Sequence, residues 1–123
     1  MLEDKIVAKS LGQKISELSI DRDSLFLKFE NGLNIKLIDS GQQCCELRYM
    51  STDDDLKYFI GSTLMNVEIR EGNGSPTPIG EEGYVPDTEF LTVTTDRGSF
   101  TVVNHNEHNG YYSGFDIKAE EIL

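Results

Sequence analysis

The sequence predicts an α+β fold, predominantly antiparallel β with one short helix at about residues 52–60. Three observations carry that expectation. Apolar and polar residues alternate in short runs, the period of a strand buried on one face. These runs come in pairs joined by glycine-containing turns. A single stretch carries helix-start chemistry instead. The length, 123 residues, suits one domain, 1–123, whose core is large enough to form without disulfides or a metal.

Taken in order, "SLFLKF" (Ser24–Phe29) sets Leu25 and Leu27 against Phe26 and Lys28, and "LNIKLI" (Leu33–Ile38) sets Leu33, Ile35 and Leu37 against Asn34 and Lys36. The intervening "ENG" is a strong hairpin signal, because Asn and Gly both tolerate positive φ. A second pair, "EFLTVTT" (Glu89–Thr95) and "SFTVVN" (Ser99–Asn104), flanks "DRG" and is rich in β-branched and aromatic residues. Each pair follows a similar lead-in, "LGQKISELSI" (11–20) and "IGSTLMNVEI" (60–69). Gly12, Ile15, Leu18 and Ile20 in the first match Gly61, Leu64, Val67 and Ile69 in the second. These matches point to an internal duplication of a β-hairpin unit, with pseudo-repeats 11–50 and 60–115, although strand–turn–strand patterns also resemble one another by default. After each pair the chain turns polar and reaches its most unusual residues, "QQCCELRY" and "HNEHNGYYSGF". In a duplicated scaffold these two loops occupy equivalent positions and converge near a pseudo-twofold axis.

The helix is expected in "STDDDLKYFIG" (Ser51–Gly61). Ser51 or Thr52 caps the first N–H groups, the aspartates suit the positive end of the helix dipole, Leu56, Phe59 and Ile60 form one apolar face, and Gly61 ends it. The aspartate run thus reads as helix-start chemistry rather than a metal site. Residues 71–87, turn-rich in Gly and Pro, are expected to form a flexible insert on the surface. The tail "FDIKAEEIL" fits either a last strand or a short helix.

The net charge of −11 disfavours direct binding to nucleic acid or an anionic membrane, which needs phosphate neutralisation by Lys and Arg. It suits solubility, or an acidic surface that imitates a nucleic acid. No run reaches membrane-span length and the N-terminus does not read as a signal peptide, so a cytoplasmic location is expected. The two cysteines, Cys44 and Cys45, are adjacent. Neighbouring Cα atoms lie about 3.8 Å apart, short of the roughly 4.4–6.8 Å of an ordinary disulfide, so reduced thiols are expected.

Chemistry is sparse. His105 and His108 with Cys44 and Cys45 are the residue types of a metal site or a thiol hydrolase, but no Cys-x-x-Cys pair or nucleophile motif fixes their approach. No metal, cofactor or catalytic residue is therefore assigned, and an enzyme is the lesser expectation. Ligand binding fits better: Tyr111, Tyr112 and Phe115 offer flat faces beside Asn109 and two glycines, a composition suited to a base, nucleoside or sugar. Arg48, Arg70 or Arg97 is available to meet a phosphate.

"QQCCELRY", "DDDLKYFIG", "FLTVTTDRGSFTV" and "NEHNGYYSGF" together resemble an uncharacterised domain family of bacteriophage and prophage genomes. The resemblance covers roughly residues 11–117 and rests on Cys44, Cys45, Glu46, Leu56, Ile60, Gly61, Gly98, Asn109, Gly110, Tyr111 and Tyr112. The "VVNHNEH" approach to the last loop departs from the family pattern. The resemblance carries no activity; it implies viral origin and a bacterial host cytoplasm. The candidate ligand-binding residues are Cys44, Cys45, Glu46, Arg48, His105, His108, Asn109, Tyr111, Tyr112 and Phe115. The function expected is binding that interferes with a host defence component, by sequestering a small signalling nucleotide. An acidic decoy for a host protein and a Cys/His hydrolase are the alternatives. The expected partner is a host protein or small nucleotide, in a homo-oligomer, with no nucleic acid and no membrane.

Overall fold

A computed structural model describes residues 4–40, 47–71, 85–108 and 115–122. It is mostly antiparallel β. The strands are β1 (Ile15–Ile20), β2 (Ser24–Phe29), β3 (Asn34–Asp39), β4 (Leu47–Ser51), β5 (Leu64–Glu71), β6 (Val85–Thr95), β7 (Gly98–His108) and β8 (Ile117–Glu121). They form two four-stranded sheets, in the orders β1-β2-β3-β8 and β4-β7-β6-β5. Each sheet is thus a three-strand meander completed by a fourth strand from elsewhere in the chain. β4 follows the first meander but pairs with β7 of the second; β8 follows the second but pairs with β3 of the first.

Local chemistry explains the meanders. In the "ENG" turn, Asn31 Oδ1 accepts the Leu33 N–H at 3.0 Å, and Gly32 takes φ +91°, which an L side chain resists. β2 and β3 then bury Leu25, Leu27, Ile35 and Leu37 on one face, as their alternation requires. The pairing of β1 with β2 slips by one residue between Ile15 and Glu17, and that of β5 with β6 slips between Leu64 and Asn66. Each irregularity changes the inward parity, so that Ile15 is followed on the core side by Leu18 and Ile20, and Leu64 by Val67 and Ile69. Side chains from both sheets meet in one apolar cluster, including the fully buried Ile15, Leu25, Leu37, Leu64, Leu91 and Phe100. Each contributes about 1.5–3 kcal/mol by leaving water.

The lead-ins to β1 and β5 clasp each other. The Gly12 N–H donates to Leu64 O and the Gly61 N–H to Ile15 O, each at 2.7 Å; Ile15 N donates to Ser62 O at 2.8 Å and Leu64 N to Gln13 O at 3.0 Å. An isolated bridge between Lys14 and Thr63 lies among these bonds. The bonds are reciprocal, each half giving and receiving through corresponding residues.

Three elements differ from the sequence expectation. The stretch expected to be helical over 52–60 contains one turn of 3-10 helix, Leu56–Phe59, capped by Asp55 rather than by Ser51 or Thr52. Ser51 closes β4. Beyond it, Thr52 Oγ1 donates to Thr101 O at 2.7 Å and Asp54 Oδ2 accepts the Thr101 N–H at 2.8 Å. These two side chains continue the ladder to β7 after the β4 backbone has left it, so the residues expected to start a helix serve as a strand extension. The second difference is a six-residue α-helix, α1 (Lys5–Ser10), capped by Asp4, which accepts from Ile6 N at 2.7 Å and buries Val7. The third is β7, which runs on through His105 to His108, where the sequence suggested a turn. Asn104 and Asn106 keep the inward parity of Phe100 and Val102, so alternation persists although the residues are polar. The tail is a strand, β8, paired with β3. No helix among the described residues is long and apolar enough to cross a membrane.

Gly12 and Gly61 sit at φ +83° and +93° within the clasp. Gly12→Ala and Gly61→Ala are each expected to lower unfolding free energy by about 1–2 kcal/mol, the cost of a left-handed L residue. Urea denaturation measures this.

Candidate functional site

Both exchanges of strands between sheets happen at one end of the molecule. β3 ends at Asp39 and β7 at His108, and the segments that follow lead to β4 and β8 of the opposite sheets. The described residues at the roots of these segments are bound to one another. Ser40 N donates to Asp116 O at 2.9 Å, its hydroxyl donates to Asp116 Oδ2 at 3.0 Å, and Asp116 N donates to Asp39 Oδ1 at 3.0 Å.

Behind this knot the inner layer turns from apolar to polar. Moving along β7, Phe100 and Val102 give way to Asn104 and Asn106, both buried. Across β4, Met50 gives way to Arg48. The Arg48 guanidinium Nη1 lies 2.9 Å from both carboxylate oxygens of Asp39, and both side chains are only 6% exposed. The pair links β4 of one sheet to β3 of the other, and the Arg48 guanidinium carbon lies 6.0 Å from the centroid of the Phe115 ring, within range of a cation–π contact. Its burial makes the pair exacting: either ion left alone carries a large desolvation penalty.

Arg48 and Phe115, two of the residues singled out from sequence, therefore meet at the crossover end. His105 does not join them. It lies on the outer face of its sheet, where it stacks on Tyr49 with ring centroids 4.3 Å apart and planes within 7°. Its Nε2 shares a 2.7 Å hydrogen bond with the Ser51 hydroxyl. Burial pushes its pKa down, against the opposing pull of Glu107. Burial raises the Tyr49 phenol, and the charge and hydrogen bond of Glu107 add to the shift. This is a cross-strand packing cluster in which Ser51 and His105 have the residue types of a nucleophile and base, and the Glu107 charge acts on both the Tyr49 phenol and the His105 imidazole. Cys44, Cys45, Glu46, Asn109, Tyr111 and Tyr112 lie outside the described residues, as does the side chain of His108. Among the described residues no group of three or more His, Cys, Asp or Glu side chains converges to hold a metal.

Two features of this end escaped the sequence reading: Asp39 as the partner of Arg48, and Asn104 as a buried amide. Asp39 stands two residues beyond Leu37, and Asn104 two beyond Val102, each on its strand's inward parity; that spacing was the available signal. The three arginines offered to a phosphate are all engaged. Arg48 holds Asp39, Arg70 pairs with Glu68 at 3.0 Å, and Arg97 donates to the carbonyls of Tyr58 and Ile60.

A family profile described as a domain of unknown function (DUF7448) matches residues 8–117. No curated protein and no solved structure matches the chain.

Arg48→Met and Asp39→Leu are each expected to destabilise the protein by about 3–5 kcal/mol, because each strands a buried charge, while the double variant recovers most of the loss. Chemical denaturation of the four proteins checks this cycle. The lowered His105 pKa gives a second expectation. Protons bind the unfolded imidazole more readily than the folded one, so this contribution is present above the unfolded value of about 6.5 and is lost as pH falls through the lower folded value. The denaturation midpoint of wild type should then fall more steeply below about pH 6.5 than that of His105→Gln.

Proposed function

The chain belongs to the DUF7448 domain family, and from that premise and the geometry of the crossover end we propose a non-enzymatic binding protein whose ligand is a small nucleotide-like molecule. The observation that carries this reading is the anchoring of both conspicuous segments at one place. Ser40, at the root of the segment bearing Cys44, Cys45 and Glu46, is hydrogen-bonded to Asp116, at the root of the segment bearing Asn109, Tyr111 and Tyr112. A rigid buried pair, Arg48–Asp39, braces both roots from behind. Recognition residues on loops held by a stiff scaffold are the usual design of a binding site.

The reciprocal clasp, the matching register slips and the exchanged fourth strands support an origin by internal duplication, which places the two segments at corresponding positions. The arginine partners shift the expected contacts from phosphate towards base and sugar, where stacking on Tyr111 and Tyr112 supplies affinity. The resemblance to phage-type domains supports a role in a bacterial cytoplasm, where withholding a signalling nucleotide from a host defence component is the use such a binder serves. His105, engaged by Tyr49 and Ser51 on the outer face, leaves the hydrolase reading with less support.

A thermal-shift panel of mono-, di- and cyclic nucleotides tests the proposal. A ligand at a hundred times its Kd adds about 2.7 kcal/mol to stability, which raises Tm by several degrees. One nucleotide class should do so for wild type, with the shift lost in Tyr111→Ala or Tyr112→Ala. A panel that leaves wild type unmoved contradicts the proposal.

A further inference from the structure

The outer face of the β1-β2-β3-β8 sheet carries a groove of about 290 Å³ at the end of β3 remote from Asp39. Its position follows from strand register. Ser19, Phe26 and Lys36 stand side by side on β1, β2 and β3, and Glu17, Lys28 and Asn34 form the next row. The groove opens where these rows meet, with Ile122 at its rim; the Ile122 N–H donates to Asn34 O at 2.8 Å, which holds that residue beside the second row. Outward positions of a one-sided sheet are ordinarily polar. Phe26 breaks that pattern. It has the parity opposite to buried Leu25 and Leu27, is half-buried among its outward neighbours, and gives the groove an aromatic lining.

The polar groups around Phe26 cover every hydrogen-bonding kind. Among the described residues, neither the Ser19 hydroxyl nor the Asn34 carboxamide has a hydrogen-bond partner. Lys28 Nζ and Glu17 Oε2 lie 3.8 Å apart, with their side chains 52% and 71% exposed. At that separation the two charges balance, but the pair is too long for a hydrogen bond, so the ammonium keeps its donors and the carboxylate its acceptors. Lys36 in the neighbouring row is balanced in the same way by Glu120 at 3.6 Å. The groove thus has no net charge with which to hold a phosphate or a carboxylate. It offers an apolar surface rimmed by a hydroxyl, an amide, an ammonium and a carboxylate. Its volume lies at the lower end of small-molecule sites, which span about 300–1,000 Å³.

We propose that this groove binds a neutral sugar, the size of one pyranose ring, with the C–H face of the ring on Phe26 and its hydroxyls on Glu17, Lys28 and Asn34. Each sugar hydroxyl is both a donor and an acceptor, and neighbouring hydroxyls project from one edge of the ring. One donates to the Glu17 carboxylate while the next accepts from the Lys28 ammonium, which the 3.8 Å separation of those side chains accommodates. A purely apolar ligand would desolvate the same polar groups with no hydrogen bond in return. A nucleotide would bring its phosphate to rows whose cations are already balanced. The groove lies on the outer face and at the opposite end of β3 from the crossover, so the assignment goes beyond the function proposed above and does not depend on it.

Titration of the isotope-labelled chain with methyl glucoside, methyl galactoside, methyl mannoside and N-acetylglucosamine, followed through backbone amide NMR shifts, tests the assignment. Phenol serves as a control that offers a ring and a single hydroxyl. At least one sugar should shift the amides of Ser19, Phe26, Lys28 and Asn34 saturably, with a Kd on the order of 1 mM. Asn34→Ala and Phe26→Leu should each weaken that sugar about five- to tenfold, through loss of a hydrogen bond or of the aromatic face. Lys28→Ala, on the exposed rim, supplies the affinity readout if Phe26→Leu does not fold. Amides that every sugar leaves unmoved at about fifty times that concentration overturn the proposal. So do shifts that the variants leave unchanged, and a groove that answers phenol but no sugar.

Discussion

Everything in this fold depends on the exchange of fourth strands between two meanders. An antiparallel meander of three strands has an apolar face and a bare edge, and neither is stable in water. Here the edge of β3 is covered by β8 and the edge of β7 by β4. Each half therefore lacks the strand that closes its own sheet, and the inner faces pack on each other in one apolar cluster. The clasp between Gly12 and Leu64, and between Gly61 and Ile15, ties the opposite ends of the same two halves.

The exchange also brings the ends of both meanders together at one end of the molecule. A strand that changes sheets must cross the inter-sheet layer, and both crossings occur at the end where Ser40 and Asp116 are bonded. Backbone leaving a sheet needs new hydrogen-bond partners. The Asp39 carboxylate provides one for Asp116 N and at the same time holds the Arg48 guanidinium. One buried carboxylate thus ties the end of β3 to both Arg48 and Asp116. The core is apolar at its middle rows and polar at this end, where Arg48, Asn104 and Asn106 are buried.

The local plan of the fold was legible in the sequence because it is set by neighbours. The "ENG" hairpin, the buried faces of Leu25, Leu27, Ile35 and Leu37, and the correspondence of Ile15 with Leu64 all follow from alternation and turn chemistry. The destination of β4 and β8 was not legible, since no local pattern tells a strand which of two matching sheet edges to join. The helix expected over 52–60 is shortened to the single 3-10 turn Leu56–Phe59 for a related reason. Thr52 and Asp54 have the side chains of a helix start, but Thr101 of β7 offered a backbone N–H and C=O that those side chains could satisfy. At the crossover end, Arg48 and Phe115 had been singled out by residue type, whereas Asp39 and Asn104 looked like ordinary strand-end residues. Only their inward parity marks them out. His105 was conspicuous by type, and its strand parity carried it to the other face.

Native-state hydrogen exchange tests the interlocking of the two halves most directly. If the exchanged strands bind them into one cooperative unit, the amides of Gly12 and Gly61 and those in the middle of β3 and β7 will open with a single free energy, equal to that of global unfolding. Protection of one sheet at the global value while the other exchanges through a lower-energy opening would contradict it.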